Sequence, residues 1–300
     1  MKIHLKFEDL SHNLINLPFF VFRKKNIKNL SILGKIYFLF SSYFITLCFK
    51  IFEQKIFCSL MNFFYGKDGK VSYSKSKKLY TKEYKNNLIY YPNKYRLSGS
   101  MVNHRYELQN LLNSYCLDNF EINAGDTILD CGANVGLLNL AINEFEKEIN
   151  YIGFEPDNNV FRCLELNTKN NHKTKIYNIG LSDSNSTENT LYLDSDHGDS
   201  SLEPFDAKSK LKIEARKLDE FKLKKIKLFK IDAEGHELKV LLGSEETLKE
   251  IAYIAIDMGE GNEGKKTTVP SVVNYLIKNN FELLDFNKER ITGLFKNKSM

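Results

Sequence analysis

Residues 127–136 read TILDCGANVG, a short apolar run that ends in an acid and leads into two glycines four residues apart. This order of apolar run, glycine turn and helical pattern is typical of the first β-α unit of an open α/β sheet. Dinucleotide sites on such sheets use Gly-x-Gly-x-x-Gly, where the helix N-terminus receives a pyrophosphate. Here Asp130 precedes the first glycine, and position 137 carries no glycine. The Asp130 carboxylate would repel a pyrophosphate, whereas it suits a cationic amino or sulfonium group.

Apolar runs and helical patterns alternate through the rest of the chain after residue 125. The predicted strands are 127–129, 151–154, 175–179, 226–231, 251–256, 281–284 and 291–295. The predicted helices are 137–145, 160–167, one from about 237, and 271–278. Such alternation predicts an α/β fold with a mostly parallel seven-stranded sheet, right-handed crossovers and helices on both faces. The last two strands should form an antiparallel pair at one edge.

Four of these predicted strands end in an acidic residue, namely Asp130, Glu155, Asp232 and Asp257. One carboxylate at a strand end is an ordinary helix cap, but four along one rim indicate a ligand that offers hydroxyls and positive charge. Glu155 lies 19 residues after Gly136, about where a ribose-binding acid belongs. A cationic nucleoside without phosphates fits S-adenosylmethionine.

Composition and charge limit the class of protein. The 300 residues are 42% hydrophobic and 27% charged, which is typical of a folded globular chain. The five cysteines form no Cys-x-x-Cys pair, so neither a disulfide framework nor a zinc site is predicted, and a reducing compartment is expected. Residues 1–116 hold 19 Lys and Arg against 6 Asp and Glu, or +13, while the remainder holds 24 against 32, or −8. The basic part either faces an anionic membrane or nucleic acid, or carries ordinary solvated charge.

The uncharged run 36–49 is the most apolar part of the N-terminal region. Its 14 residues fall short of the roughly 20 that a bilayer span needs. Two alternatives remain: helices packed on the globular domain, or peripheral membrane contact through residues 30–60, with lysines near lipid phosphates.

Other N-terminal segments indicate the cellular location of the protein and the secondary structure before the main sheet. The basic run at 23–25 follows the apolar run 17–22, which is the wrong order for a cleaved secretory signal. We therefore expect a cytoplasmic protein, either free or peripheral on the inner membrane face. Tyrosine-rich runs within 71–97 predict a small hairpin or two, and 101–116 predict an amphipathic helix.

Three motifs in the second half closely resemble those of the FkbM family of S-adenosylmethionine-dependent methyltransferases. They are DCGANVG at 130–136, FEP at 154–156 and FKIDAEGHE at 229–237. The resemblance covers roughly residues 101–260 and implies a class I methyltransferase (Rossmann-like) fold. It also implies an O-methyltransferase that modifies a hydroxyl of a sugar, glycan or glycolipid. We expect this domain over 101–300, after a basic, hydrophobic helical and hairpin extension over 1–100.

The resemblance also implies roles for individual residues. Those expected to bind S-adenosylmethionine are Asp130, Gly132, Asn134 and Gly136 at the methionine part, Glu155 at the ribose, and Ser182 and Asp183 at the adenine edge. Those expected to face the reaction, and to include the base that accepts the hydroxyl proton, are Asp232, Glu234 and His236. Asp257 departs from the glutamate-led ending that many relatives carry at this strand.

Several alternatives remain open. Asp130 and Asp232 could be simple helix caps, Glu237 could offset a helix dipole, and His236 could be a solvated residue at a helix start. The loop 194–199 superficially resembles a calcium loop, but an exposed linker is expected and no metal site is predicted. A nicotinamide-dependent oxidoreductase is disfavoured by Asp130 and the missing glycine, and a non-catalytic membrane-associated binding module is a second rival. The chain has no Asn-Pro-Pro-aromatic motif or RNA-binding module, so nucleic acid is not an expected partner.

Overall fold

The computed structural model of the protein describes residues 31–85, 87–101, 103–118, 120–145, 148–171, 173–194, 199–204, 209–259 and 267–300. Two of the segments named above lie outside these residues. They are the apolar and basic run 17–25 and the centre of the aspartate-rich loop at 195–198.

The chain divides into two compact units, one ending at Glu107 and one over Leu108–Met300. The helices of the first unit are α1 (Ile32–Ile51), α2 (Gln54–Tyr65), α3 (Lys94–Ser98) and the start of α4 (His104–Ser114), with a 3-10 turn at Gly66–Asp68. Its strands are β1 (Val71–Ser74), β2 (Leu79–Tyr84) and β3 (Asn87–Tyr91). They form an antiparallel sheet in the order β1-β2-β3, which confirms the hairpins predicted over 71–97.

Helix α1 is longer than the uncharged run from which it was predicted. It begins at Ser31, whose hydroxyl accepts a hydrogen bond from the Gly34 N–H, and it includes Lys35 and Lys50. A serine at this position satisfies one of the N–H groups that a helix start leaves unpaired. The result is a 20-residue helix, long and apolar enough to cross a membrane by length and composition alone.

The second unit is built around one seven-stranded sheet. Its strands are β4 (Thr127–Cys131), β5 (Asn150–Phe154), β6 (Thr174–Tyr177), β11 (Ile226–Ile231), β12 (Ile251–Asp257), β13 (Phe281–Asn287) and β14 (Thr292–Asn297). The helices are α5 (Leu137–Phe145), α6 (Asn158–Thr168), α7 (Glu237–Leu242) and α8 (Val269–Lys278), with 3-10 turns at Leu218–Phe221 and Thr247–Glu250.

The strand order is β13-β14-β12-β11-β4-β5-β6. Strands β12, β11, β4, β5 and β6 run parallel, while β14 is antiparallel to both of its neighbours. This arrangement confirms the predicted α/β class, all seven predicted strands and the antiparallel pair at one edge. Strands β4 and β11 lie at the centre and are buried along nearly their whole length, as expected for apolar runs in a parallel sheet.

A second sheet in this unit is absent from the sequence predictions. It has the order β7-β10-β8-β9, formed by β7 (Gly180–Leu181), β8 (Ser186–Asp194), β9 (Asp199–Ser201) and β10 (Ser209–Arg216). The sequence of β10 has the pattern of a strand buried on one face, since Leu211, Ile213 and Ala215 alternate with charged residues. The sheet matters for the site because β9 and the turn after it reach the residues that follow β11.

Candidate active site

The carboxyl ends of four adjacent parallel strands bring four acids to one edge of the sheet. Asp130 lies near the end of β4, Asp257 ends β12, and Glu155 and Asp232 directly follow β5 and β11. These strands are neighbours in the order β12-β11-β4-β5, so their ends share one edge. Ligands of open α/β sheets bind at this edge.

The turn after β4 needs its glycines for close packing. Gly132, Asn134 and Gly136 have φ angles of 72°, 52° and 88°, the left-handed region that favours glycine and tolerates asparagine. A Cβ at Gly132 would overlap the carbonyl oxygen of Asp232, and one at Gly136 would lie 2.9 Å from Leu164 Cδ1. The glycines therefore let this turn lie directly against the end of β11 and against α6.

Glu155 braces the same turn. Its Oε2 accepts a hydrogen bond from the Asn134 N–H at 2.9 Å, and its Oε1 accepts one from the Asp157 N–H at 3.0 Å. A carboxylate has about four lone-pair positions, so one carboxylate can accept several hydrogen bonds at once. Glu155 thus holds the turn in place at the sheet edge.

Asp130 is neutralised inside the protein. It is 1% exposed, its Oδ1 lies 3.0 Å from Lys230 Nζ, and its Oδ2 accepts a 2.5 Å hydrogen bond from the Tyr151 hydroxyl. Lys230 also donates to the carbonyl oxygens of Cys131 and Gly132, at 3.2 and 2.9 Å. Burial alone would lower the pKa of Lys230, but the charges of Asp130 and Asp232 and the hydrogen bond to Asp130 together outweigh burial, so the pKa is raised. The ion pair therefore fixes β11 to the end of β4 and to the glycine turn.

Asp232 and Asp257 share one arginine. Arg290 donates from Nη2 to Asp232 Oδ2 and from Nε to Asp257 Oδ2, both at 2.8 Å. The Tyr115 hydroxyl donates to the same Asp232 oxygen at 2.6 Å, and Lys230 Nζ lies 3.8 Å from it. The Arg290 guanidinium also stacks over the Tyr115 ring, 4.6 Å from its centroid. These partners favour the ionised Asp232 carboxylate.

Burial and neighbouring charges raise the pKa of two groups in this cluster. Burial raises the pKa of Asp257, and the neighbouring Asp232 charge raises it further, with Arg290 offsetting only part of the rise. Burial also raises the pKa of Tyr115 well above its usual value, so its hydroxyl remains a donor at neutral pH. Asp257 therefore binds a proton more readily than an ordinary aspartate does.

The segment after Asp232 is held by its own side chains and by β9. Glu234 has a φ of 49°, and its carbonyl oxygen accepts a 2.7 Å hydrogen bond from the buried Ser201 hydroxyl. Glu237 Oε1 accepts hydrogen bonds from the Ala233 and Gly235 N–H groups at 3.2 and 2.9 Å. Its Oε2 is buried and has no hydrogen-bond partner in the described part of the chain. Burial raises the pKa of Glu237 to about 7, and its hydrogen bonds hold the turn before α7 as well as offsetting the helix dipole.

His236 is buried rather than solvated, in contrast to one alternative from the sequence. Its Nδ1 lies 2.7 Å from Glu203 Oε1, and its Nε2 lies 3.0 Å from Ser182 Oγ, which also donates to Asp183. Burial lowers the pKa of His236, and the Glu203 charge opposes this only in part. Burial alone would raise the pKa of Glu203, but hydrogen bonds from Lys239 and His236 outweigh it and the pKa is lowered. His236 therefore links the Ser182–Asp183 corner to the turn after β9.

The predicted catalytic residues thus fall into separate surroundings. Asp232 meets Arg290 and Tyr115, whereas both ring nitrogens of His236 are engaged on the side of Ser182. The sequence analysis did not predict a role for Lys230. A lysine in an otherwise apolar strand requires an acidic partner, so the signal was present in the sequence. Arg290 and Tyr115 gave no local signal, because each lies far from Asp232 along the chain.

No group of three or more His, Cys, Asp or Glu side chains suited to a metal ion occurs among the residues that the structure describes.

The part of the chain that carries this site matches a known protein family. A family model described as the methyltransferase FkbM domain matches residues 130–283, which is 154 of the 300 residues. The chain belongs to the FkbM methyltransferase family. The match confirms the family resemblance that the three motifs indicated. The cofactor of the FkbM domain is S-adenosylmethionine.

Solved structures of low similarity also match the chain. The FkbM methyltransferase from Methylobacillus flagellatus KT is 15% identical, with 68% of this chain and 55% of that chain covered and a TM-score of 0.41. A precorrin-6y C5,15-methyltransferase from Geobacter metallireducens is 10% identical, covering 64% and 84%, with a TM-score of 0.35. A SAM-dependent methyltransferase from Aquifex aeolicus is 14% identical, covering 64% and 97%, with a TM-score of 0.37.

This chain spans about half the length of the M. flagellatus protein. No curated protein matches the chain significantly. Scores and identities this low carry no argument about activity.

The residues of the FkbM domain fit this cofactor. The turn 132–136 brings its backbone to the sheet edge, where a side chain at Gly132 would overlap the neighbouring strand end. Glu155 directly follows β5 at the same edge, and a carboxylate is the type of group that accepts hydrogen bonds from ribose hydroxyls. Ser182 and Asp183 follow β7 and lie beside the segment after β11 through His236.

Proposed function

We propose that the protein is an S-adenosylmethionine-dependent O-methyltransferase acting on a hydroxyl of a sugar, glycan or glycolipid. The main support is the cluster of Asp232, Arg290 and Asp257 at the strand ends. Carboxylates accept hydrogen bonds from hydroxyls, and a guanidinium donates to hydroxyl oxygens. Such a mixed cluster suits a neutral polyol, whereas a phosphate backbone would meet two carboxylates.

The turn 132–136 would hold the methionine part of the cofactor, Glu155 the ribose, and Ser182 with Asp183 the adenine edge. When bound, S-adenosylmethionine supplies an electrophilic methyl group. Asp130 contributes by anchoring Lys230 and the turn, because its own charge is neutralised within the protein.

A hydroxyl oxygen attacks as its proton leaves, so the site needs a proton acceptor within hydrogen-bond reach. Asp257 is the best supported group, since burial and the Asp232 charge raise its pKa. Its Oδ2 accepts a hydrogen bond from Arg290 and its Oδ1 accepts one from the Gly259 N–H, which leaves lone pairs for an acceptor hydroxyl. Asp232 would orient the hydroxyl, and His236 would position the segment that carries Glu234.

Cofactor choice is tested by titration calorimetry with S-adenosylhomocysteine and with a nicotinamide dinucleotide. We expect binding of the first only, and loss of that binding in Glu155→Ala. The matched control is Glu148→Ala, at an exposed glutamate paired with Lys173. Binding of the dinucleotide alone would favour the oxidoreductase.

The reaction is tested by incubating the protein and labelled S-adenosylmethionine with glycan, glycolipid and RNA fractions. We expect label in a saccharide fraction, and a fall in kcat of about 10²–10⁴-fold in Asp257→Asn with an altered pH profile. Asp285→Asn, at an exposed position on β13, is the matched control. Label in RNA would contradict the acceptor class, and cofactor binding without transfer to any fraction would favour a non-catalytic module.

We also propose that the protein acts in the cytoplasm. The five cysteines are buried and form no disulfide, which suits a reducing compartment. Fractionation of cells that produce the protein is the direct test, and recovery from the medium or periplasm would contradict this location.

A further inference from the structure

The outer face of α1 carries a continuous row of exposed apolar side chains. Its members recur at spacings of three and four and are Leu33, Ile36, Tyr37, Phe40, Tyr43, Phe44, Leu47 and Ile51. At 3.6 residues per turn and 1.5 Å per residue they form a band about 120° wide and roughly 27 Å long. We call this band the α1 stripe. Contiguous exposed apolar surface of this size marks an interaction surface or a membrane contact.

The opposite face of α1 is packed within the first unit. Ser42, Ile45 and Cys48 are buried there. The ring of Phe49 makes edge contacts with Phe57 and Tyr95, at 5.5 and 5.3 Å between centroids. A helix that crossed a bilayer would give up these contacts or expose both faces to lipid. The packing therefore favours a helix that lies in the plane of a surface and offers only its stripe.

The residues around the stripe indicate what that surface is. Residues 31–107 hold 13 Lys and Arg against 4 Asp and Glu, which complements anionic groups. Lys50 is exposed at the C-terminal end of α1, and Lys55 is exposed in the first turn of α2. Tyr37 and Tyr43 lie at the two edges of the stripe, and tyrosine is enriched where apolar and polar layers of a membrane meet.

We propose that the α1 stripe is a membrane-docking surface on which α1 lies in the plane of an anionic lipid bilayer. The apolar side chains enter the boundary between headgroups and acyl chains, and the flanking lysines contact lipid phosphates. This proposal stands apart from the methyltransferase proposal, since it uses only residues of the first unit.

The chain contains no tryptophan, so one introduced residue reports on one position. The test compares Phe40→Trp in the full chain with Phe286→Trp, an exposed aromatic on β13. With vesicles of phosphatidylcholine and phosphatidylglycerol we expect a blue shift of the Phe40→Trp emission and quenching by lipids brominated near the headgroup. We expect no shift in the Phe286→Trp protein, and at least tenfold weaker binding to vesicles of phosphatidylcholine alone.

Charge placed in the stripe tests the same surface without a probe. We expect Phe40→Glu with Phe44→Glu to weaken vesicle binding at least tenfold, while Leu284→Glu with Phe286→Glu leaves it unchanged. Far-ultraviolet circular dichroism and the thermal transition show that each variant is folded.

Three results would overturn the proposal. The first is no emission change with either vesicle. The second is strongest quenching by lipids brominated at the bilayer centre, which indicates a spanning helix. The third is an emission already blue-shifted in buffer and dependent on protein concentration, which indicates a second copy on the stripe.

Discussion

Replacing Lys230 by methionine removes the cation that neutralises Asp130 at the sheet edge. Lys230 Nζ lies 3.0 Å from Asp130 Oδ1, and both side chains are almost fully buried. Methionine keeps most of the apolar length of lysine, so the change removes the charge together with the hydrogen bonds to the Cys131 and Gly132 carbonyl oxygens. After the substitution the Asp130 carboxylate keeps its hydrogen bond from the Tyr151 hydroxyl.

The expected loss is about 3–5 kcal/mol, because removing one member of a buried ion pair leaves an uncompensated charge. For a unit of this size that corresponds to a melting temperature roughly 6–20 °C lower, at about 2–4 °C per kcal/mol. The pKa of Lys230 is raised in the folded state, so its contribution is complete below the unfolded value of about 10.4. The loss should therefore be the same at pH 7 and pH 9.

Hydrogen exchange at the amides of β4 and β11 is a suitable assay, because it reports on the second unit alone. Lys227→Met is the matched control, since Lys227 lies on the same strand over the rings of Phe120 and Tyr253. Losing that partly exposed contact should cost about 0.5–1 kcal/mol. The double variant Lys230→Met with Asp130→Asn removes both charges and should recover at least half of the loss.

Two outcomes would refute this reasoning. One is a Lys230→Met protein that loses no more stability than Lys227→Met. The other is a double variant no more stable than the single one, which would mean that the charge of Asp130 is not what makes Lys230 necessary.

Three further predictions concern the turn after β4 and the segment after β11. Gly132→Ala should weaken S-adenosylhomocysteine binding more than tenfold in calorimetry, because the added Cβ overlaps the Asp232 carbonyl oxygen. Gly125→Ala is the control, since Gly125 also has a positive φ, of 88°, but a Cβ there meets no neighbouring atom, and binding should be unchanged. Burial lowers the pKa of His236, so its neutral form stabilises the fold above about pH 6.5 and this is lost on acidification; His236→Gln should flatten that loss in urea titrations, and an unchanged slope would contradict it. The pKa of Glu237 is about 7, so stability falls as pH rises from about 4.3 to 7; Glu237→Gln should be roughly 1–3 kcal/mol more stable than the native protein at pH 8, and a less stable variant would argue otherwise.

Most of the main sheet could be predicted from the sequence. A strand buried on both faces must be a continuous apolar run, and that is a local property of residues such as 226–231. The order of these runs and helical patterns was enough for the class, the seven strands and the antiparallel edge pair.

The second sheet was missed for a different reason. Strand β10 alternates as a strand exposed on one face should, but β7 and β9 have only two and three residues. Pairing makes such short segments strands, and pairing depends on partners that adjoin only in the folded chain.

The sequence by itself determined where the acids of the site lie, since strand ends and glycine turns are written in neighbouring residues. Only the tertiary structure decided which of those acids are neutralised. Asp130 is neutralised by Lys230, while Asp232 shares Arg290 with Asp257 and meets Tyr115 from 117 residues away. The reason is that Coulomb energy and burial depend on distances in space, and these bring together residues whose separation along the chain carries no pattern.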